Sequence, residues 1–266
     1  MGKTLECLKE PAPGGRGPDG CLSPKIAIVA ALERELHPLV RNWRRTTVEH
    51  EGRQFRFYES SYAVVVCAGI GPAAGRRAAE AIIVRYAPEI VLSAGIAGAL
   101  VPELKVGETI FPAAVVDTQD GSRRETAIRI SPVGTTALGR TIVASTTEIA
   151  DLAQKERLAK SYGAHAVDME SAAVGRAAQA HNLPFLVIKS ISDEYDFELP
   201  EIEKFIQNSE FQTARFAFYV AMRPWRWLRV LRLARNTRIA SENLCAWLRE
   251  SVLTNTIVAG MVKPNP

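Results

Sequence analysis

Between Ala63 and Ala99 the chain reads AVVVCAGIGPAAGRRAAEAIIVRYAPEIVLSAGIAGA. The apolar run AVVVCA, residues 63–68, has the composition of a strand and stops at Gly69-Ile70-Gly71-Pro72. A helical segment follows, AAGRRAAEAIIVRY, with proline at or near its first turn, where a missing N–H forfeits no hydrogen bond. EIVLS, residues 89–93, is a second buried strand, and we read the following Gly95–Gly98 stretch as a turn. Neither strand alternates apolar with polar residues. Continuous apolar strands joined by a helix predict a sheet covered by helices on both faces.

The same pattern extends in both directions. KIAIVA (25–30) is a short buried strand, and ALERELHPLVRNW after it has helical character, with Leu32, Leu36 and Leu39–Val40 on one face. Phe55–Tyr58, Gly107–Val116 and Thr141–Ser145 are further strand candidates. Leu152–Tyr162 reads as helix, His165–Met169 as a short strand and Ser171–His181 as a helix of small residues. PFLVIKSI (184–191) is a strongly apolar strand running into Ser192-Asp193, and helix is expected from Pro200 through Phe218. The expected fold class is α/β: a three-layer α/β/α sandwich around a twisted, mostly parallel central sheet.

Composition narrows the rest. With 47% hydrophobic and 23% charged residues in 266, the chain is neither disordered, collagen-like nor a coiled coil. No run reaches the ~18–20 apolar residues of a membrane span. The length fits one α/β domain with appendages. A disordered leader is expected over 1–24, around PAPGGRGPDG, then the domain over 25–222 and a basic helical extension over 223–266. Cys7, Cys21, Cys67 and Cys245 are scattered, and His37, His50, His165 and His181 lack ligand spacing. We therefore expect no metal site, no disulfide framework and a reducing cytoplasm. The first residues carry no apolar segment of signal-peptide type.

The net charge of +4 is smaller than the charge of six arginines at 223, 226, 229, 232, 235 and 238, so the remainder of the chain is slightly acidic. That argues against a nucleic-acid partner. RPWRWLRVLRLARNTR (223–238) has two readings. One is a terminal helix packed through Trp227, Val230, Leu231 and Ala234, with arginines in solvent. The other is a helix in peripheral contact with an anionic membrane at the inner face, since Trp, Leu and Arg are the usual ingredients.

Ligands bind at the C-terminal ends of strands in such sheets. Those ends carry the Gly69/Gly71 turn, the Gly95–Gly98 stretch and three carboxylates: Glu35, Glu170 and Asp193. Each acid has a structural explanation as well: a helix dipole for Glu35, a cap for Glu170, a turn for Asp193. GIGPAAG lacks dinucleotide-binding spacing.

KIAIVAALERELHPL, CAGIGPAAG, SAGIAGAL, KVGETIFPAAVV, AVDMESAA and PFLVIKSISD resemble, in order, the motifs of the nucleoside phosphorylase/nucleosidase superfamily, over about Lys25–Met222. The general likeness is to methylthioadenosine/S-adenosylhomocysteine nucleosidases. That resemblance implies cleavage of a purine N-glycosidic bond in a nucleoside substrate, no cofactor, and a homodimer. It implies that Asp193 handles the proton on purine N7 and that Glu35 orients and deprotonates the attacking water. It implies that Glu170 holds the ribose hydroxyls, Met169 packs on the sugar and the backbone of Ile149 meets the base edge. Gly71, Ile96 and Ser192 stand with them at the substrate. A carboxyl group that donates a proton near neutral pH needs a raised pKa, which burial at a strand end supplies.

Two departures stand out. Superfamily phosphorylases use an arginine and a serine to cradle phosphate where this chain has Ser93 and Ile96, which supply no charge and one donor fewer. Water is therefore the expected nucleophile, with phosphate as the alternative, reached through Arg76, Arg77 or a partner subunit. The aromatic residue that stacks on adenine in the nucleosidases is replaced by Glu148. The arginine-rich tail, with AVDMES and GIAGAL, also resembles the hopanoid-associated branch, which removes adenine from adenosylhopane. Futalosine hydrolysis and a non-catalytic, membrane-associated nucleoside-binding module are the remaining alternatives.

Overall fold

The structure is a computed structural model that describes residues 25–127, 140–199, 203–207 and 209–253. In chain order the elements are β1 (Ile26–Ala30), α1 (Glu33–Val40), β2 (Arg44–His50), β3 (Arg53–Glu59), β4 (Ala63–Cys67), α2 (Pro72–Tyr86) and β5 (Ile90–Ala99). Then come β6 (Thr109–Ile110), β7 (Ala114–Asp117), β8 (Arg123–Glu125), β9 (Ile142–Ser145), α3 (Leu152–Tyr162), β10 (Ala166–Asp168), α4 (Ser171–Ala180) and β11 (Phe185–Asp193). The chain ends in β12 (Ile206–Gln207), β13 (Glu210–Phe211), α5 (Thr213–Ala221) and α6 (Trp227–Leu253). The leader expected over 1–24 lies outside the described residues.

The large sheet runs β2-β3-β4-β1-β5-β10-β9-β7-β8, with β11 beside β5 and β6 beside β11. Its centre is parallel: β1 pairs with β4 and β5, β5 with β11, and β9 with β7 and β10. Antiparallel pairs include the β2–β3 hairpin at one margin and, in the middle of the sheet, β5 with β10. Alternate residues of the buried strands serve opposite layers. Ala27, Val29, Val64, Val66 and Val91 pack with α2 and α4, whereas Ile26, Ile28, Val65, Ile90 and Leu92 pack with α1 and α6. This is the three-layer α/β/α sandwich the sequence predicts, and it explains the absence of polar alternation in β1, β4 and β11.

Four expectations are corrected. Gly95–Gly98 is strand: β5 continues to Ala99, and neither glycine has a positive φ. The Gly107–Val116 strand is broken into β6 and β7 around Phe111-Pro112, because proline cannot donate to a ladder. The helix expected from Pro200 is replaced, where described, by one 3-10 turn and the β12–β13 hairpin before α5 begins at Thr213. The domain does not end at Met222, since Ala240, Leu244, Cys245 and Leu248 of α6 are core residues against α1 and the sheet. The charged strand β2 had not been anticipated. Its sequence, RRTTVEH, has no buried residue and marks a solvated edge, closed by a tight turn at Glu51-Gly52 with φ of 49° and 73°.

Candidate active site

β5, β10 and β11 end together beneath the start of α1, and a cavity of about 920 Å³ opens there. Glu35, Glu170 and Asp193 all line it and are all buried. Met169, Ile149, Ile96 and Ser192 line it too. Gly71 does not; its N–H instead donates to Glu170 Oε1 at 2.8 Å, fixing that carboxylate against the turn before α2.

Each acid is held by a different element. Glu35 sits in the first turn of α1, whose backbone is pinned from the far end of the chain: Ser241 Oγ donates to Glu35 O at 2.7 Å and Cys245 Sγ approaches the same oxygen at 3.4 Å. Asp193 closes β11 just after a register shift at Ile191/Asp193. Ser192 Oγ donates to its Oδ1 at 2.7 Å, and Lys155 Nζ of α3 lies 2.5 Å from its Oδ2. Lys155 also donates to Glu194 O at 2.9 Å. Glu170 follows β10 and leads into α4.

The glycines of β5 now have a reason. A Cβ on Gly95 would stand 2.9 Å from Glu35 Oε2, and one on Gly98 would stand 2.9 Å from Asp193 Oδ2. Any side chain there would push an acid out of place. Close approach, rather than a turn, is what these glycines permit.

Two further groups complete the floor. Lys189 lies buried in the middle of β11, and its Nζ is 2.7 Å from Asp168 Oδ2. Ser171 donates to the same Asp168 oxygen through both N and Oγ. Lys189, Asp168 and Lys155 were not singled out from sequence. The signal was present for Lys189: a lysine inside PFLVIKSI must be buried, and a buried ammonium needs a carboxylate.

The floor therefore holds four carboxyl groups and two ammonium groups. Asp193 and Asp168 each have a lysine in contact; among the described residues Glu35 and Glu170 have none. Burial raises the Glu35 pKa from 4.5 to about 8, with the Glu170 charge adding to it and Lys189 and Arg34 opposing it. Burial likewise raises Glu170 to about 7, helped by Asp168 and opposed by Lys189 and the Gly71 N–H. For Lys189, burial disfavours the charge, but Asp168 and Glu170 outweigh it and its pKa rises. The raised carboxyl groups are thus Glu35 and Glu170, whereas Asp193 stands in an ion pair.

The upper wall is different in character. Phe211, Phe216, Val230, Leu233 and Ala234 line it, from the end of β13, α5 and α6. Glu148 reaches the cavity from an exposed position, so aromatic surface comes from Phe211 and Phe216 instead. Ser93 is fully buried, with its Oγ 3.1 Å from Ser171 Oγ. Arg76 pairs with Glu80 along α2, and Arg77 Nε donates to Ala73 O.

The sequence profile of the phosphorylase superfamily matches residues 25–132 and 119–220. This chain belongs to that superfamily. Among individual superfamily proteins, it is 25% identical over 224 residues to an aminodeoxyfutalosine nucleosidase of Campylobacter jejuni, covering 72% of this chain and 96% of the other. A 5'-methylthioadenosine/S-adenosylhomocysteine nucleosidase of Exiguobacterium is 24% identical over 234 residues, covering 75% and 98%. The solved structure of the Helicobacter pylori 5'-methylthioadenosine/S-adenosylhomocysteine nucleosidase, with butyl-thio-DADMe-Immucillin-A, superposes with a TM-score of 0.60 at 21% identity, over 87% of this chain and 98% of that one. The fold is therefore shared over 87% of this chain.

Proposed function

We propose that the protein hydrolyses the N-glycosidic bond of a purine nucleoside, an adenosine modified at its 5′ position by an apolar group. The observation that carries this reading is the floor of four carboxyl and two ammonium groups beneath an apolar wall. As the C1′–N9 bond breaks, its electrons move into the purine and the sugar becomes oxocarbenium-like. Asp193 takes part in proton transfer to N7, so that neutral base departs. The proton that passes to N7 is the one shared between the Asp193 carboxylate and the Lys155 ammonium, and solvent restores it once the base has left. Glu35 removes a proton from the water that attacks C1′. Glu170 accepts hydrogen bonds from the ribose hydroxyls, with Met169 against the sugar. Acids on the floor favour a cationic sugar over a neutral one, which is the differential stabilisation catalysis requires.

The site also disfavours phosphate, because neither Ser93 nor Ile96 offers the charged donor that a dianion needs. Adenine release is expected without phosphate, with free ribosyl product rather than a ribosyl 1-phosphate. Incubation of adenosine, methylthioadenosine, S-adenosylhomocysteine and adenosylhopane, with and without phosphate, reads this directly. Strict phosphate dependence would replace hydrolysis by phosphorolysis. The 5′ group meets Phe216, Val230 and Leu233, so methylthio and larger apolar substituents are favoured over a free hydroxyl; a futalosine-type nucleoside or the adenosylhopane of the hopanoid-associated branch belongs to the same set. We place the enzyme in the cytoplasm as a homodimer.

Glu170→Gln keeps the shape of the side chain and removes its charge. Hydrogen bonds to charged groups contribute about 1.5–3 kcal/mol, so kcat/KM is expected to fall roughly ten- to a hundredfold. The variant should also lose most of its preference for ribo- over 2′-deoxynucleosides. A variant that discriminates as strongly as the parent would remove Glu170 from the sugar.

A further inference from the structure

α6 presents two stripes at its start. Val230, Leu233, Ala234 and Thr237 follow the helical repeat on the side that lines the cavity. Leu228, Leu231, Arg232 and Arg235 follow the same repeat on the outer side, where Leu228 is 83% and Leu231 64% exposed. The apolar stripe expected from sequence is therefore split: Val230 and Ala234 face the cavity, but Trp227 and Leu231 face solvent. α5 and the turn after it add Phe218 at 71%, Met222, and Trp225 at 74% exposed. Such a concentration of large exposed apolar side chains on one hairpin marks an interaction surface.

Basic residues dominate this segment. From Phe211 to Ser241 the sequence contains seven arginines and no acid. Some are tied down locally: Arg223 stacks 3.9 Å over the Tyr219 ring, Arg226 donates to Tyr219 Oη, and Arg229 pairs with Glu198. Arg232 stacks over Phe197, and Arg238 lies 3.7 Å from Glu242. These contacts hold guanidinium groups beside the tryptophans and leucines. No helix among the described residues is long and apolar enough to cross a membrane.

We infer that the outer face of the α5–α6 hairpin docks on an anionic lipid surface, bringing the apolar side of the cavity to the lipid interface. Tryptophan and leucine wedge between headgroups while arginines meet lipid phosphates. A second copy of the chain fits less well, because a two-fold contact would set two arginine-rich faces against each other. Since Val230 and Leu233 share two helical turns with Leu228 and Leu231, docking places the cavity wall beside the acyl-chain boundary. The inference stands apart from the nucleosidase reading, which concerns the floor of the cavity.

Flotation of the full chain with phosphatidylglycerol-rich and with pure phosphatidylcholine vesicles tests it. Binding is expected only to the anionic vesicles and should weaken as salt rises. Trp225→Ser with Leu228→Ser and Leu231→Ser should lower the partition coefficient at least about tenfold. Arg232→Gln with Arg235→Gln should lower it roughly fivefold per arginine, a second route should the apolar triple variant fold poorly. None of these residues lines the cavity, so release of adenine from soluble methylthioadenosine should match the parent in each folded variant. Equal binding to both vesicle types would overturn the inference, as would unchanged binding of both variants. So would sedimentation showing a dimer that the triple variant dissolves, which would assign the face to a second copy instead.

Discussion

Asp193→Asn is expected to lower kcat by roughly 10²–10⁴, the usual contribution of a positioned acid or base, while leaving substrate binding within a few-fold. Asparagine keeps the size of the side chain and can still accept from Ser192 Oγ, but it cannot pass a proton to N7. A second effect comes from the ion pair. Asp193 and Lys155 are both almost wholly enclosed, with side-chain exposures of 5% and 3%. Removing one partner of such a pair leaves an uncompensated buried charge and costs about 3–5 kcal/mol. The single variant should therefore melt earlier as well as turn over slowly. Lys155→Met combined with Asp193→Asn removes both charges and should recover most of the stability and none of the rate. A folded Asp193→Asn enzyme within threefold of the parent kcat would take Asp193 out of the chemistry. A double variant no more stable than the single one would take Lys155 out of the pair.

Glu35→Gln is expected to lower kcat/KM by a similar roughly 10²–10⁴, because glutamine cannot deprotonate water. The pH dependence follows from the raised pKa. The base must be ionised to act, so kcat/KM of the parent should climb with pH along a limb centred near about 8, and Glu35→Gln should lose that limb. Stability has the opposite slope. The unfolded chain loses this proton near its ordinary value of 4.5, while the folded protein keeps it up to about 8. Between those values the folded state holds the extra proton, so stability falls as pH rises through that window. Glutamine has no proton to lose. The difference in melting temperature between Glu35→Gln and the parent should therefore widen in favour of the variant across that window. A constant difference would mean that Glu35 is not held protonated by its surroundings.

Much of this arrangement was legible in the chain, and the exceptions share a cause. β1, α2, β4 and β11 could be read because their apolar patterns and the proline at the start of α2 act within a few residues. Glu35, Glu170 and Asp193 could be located because parallel strands end on the side where ligands bind. Lys155 could not be read. In LAQKERLAKSY it looks like Lys160, yet one is buried against Asp193 and the other is exposed in a pair with Glu156. Only contact with β11 separates them. Gly95 and Gly98 were misread for a related reason: a glycine that frees the backbone and one that makes room for a neighbour look the same in sequence. The domain end was misplaced because arginines dominate the first turns of α6 and conceal the core residues of its second half.

That second half of α6 has a consequence for the order in which the protein becomes active. Glu35 is made early, but its backbone carbonyl is gripped by Ser241 and Cys245, and the carbonyl of Pro38 by Arg249. A chain emerging from a ribosome has Glu35, its β5 glycines and its Ser192-Asp193 pair long before it has the helix that holds the first of them. Nascent chains should stay inert until α6 is complete, and proteolytic nicking between α5 and α6 should abolish turnover without touching any acid. The two ends of the described chain thus form one latch, and the floor of the cavity is finished only when synthesis has reached the helix that closes it.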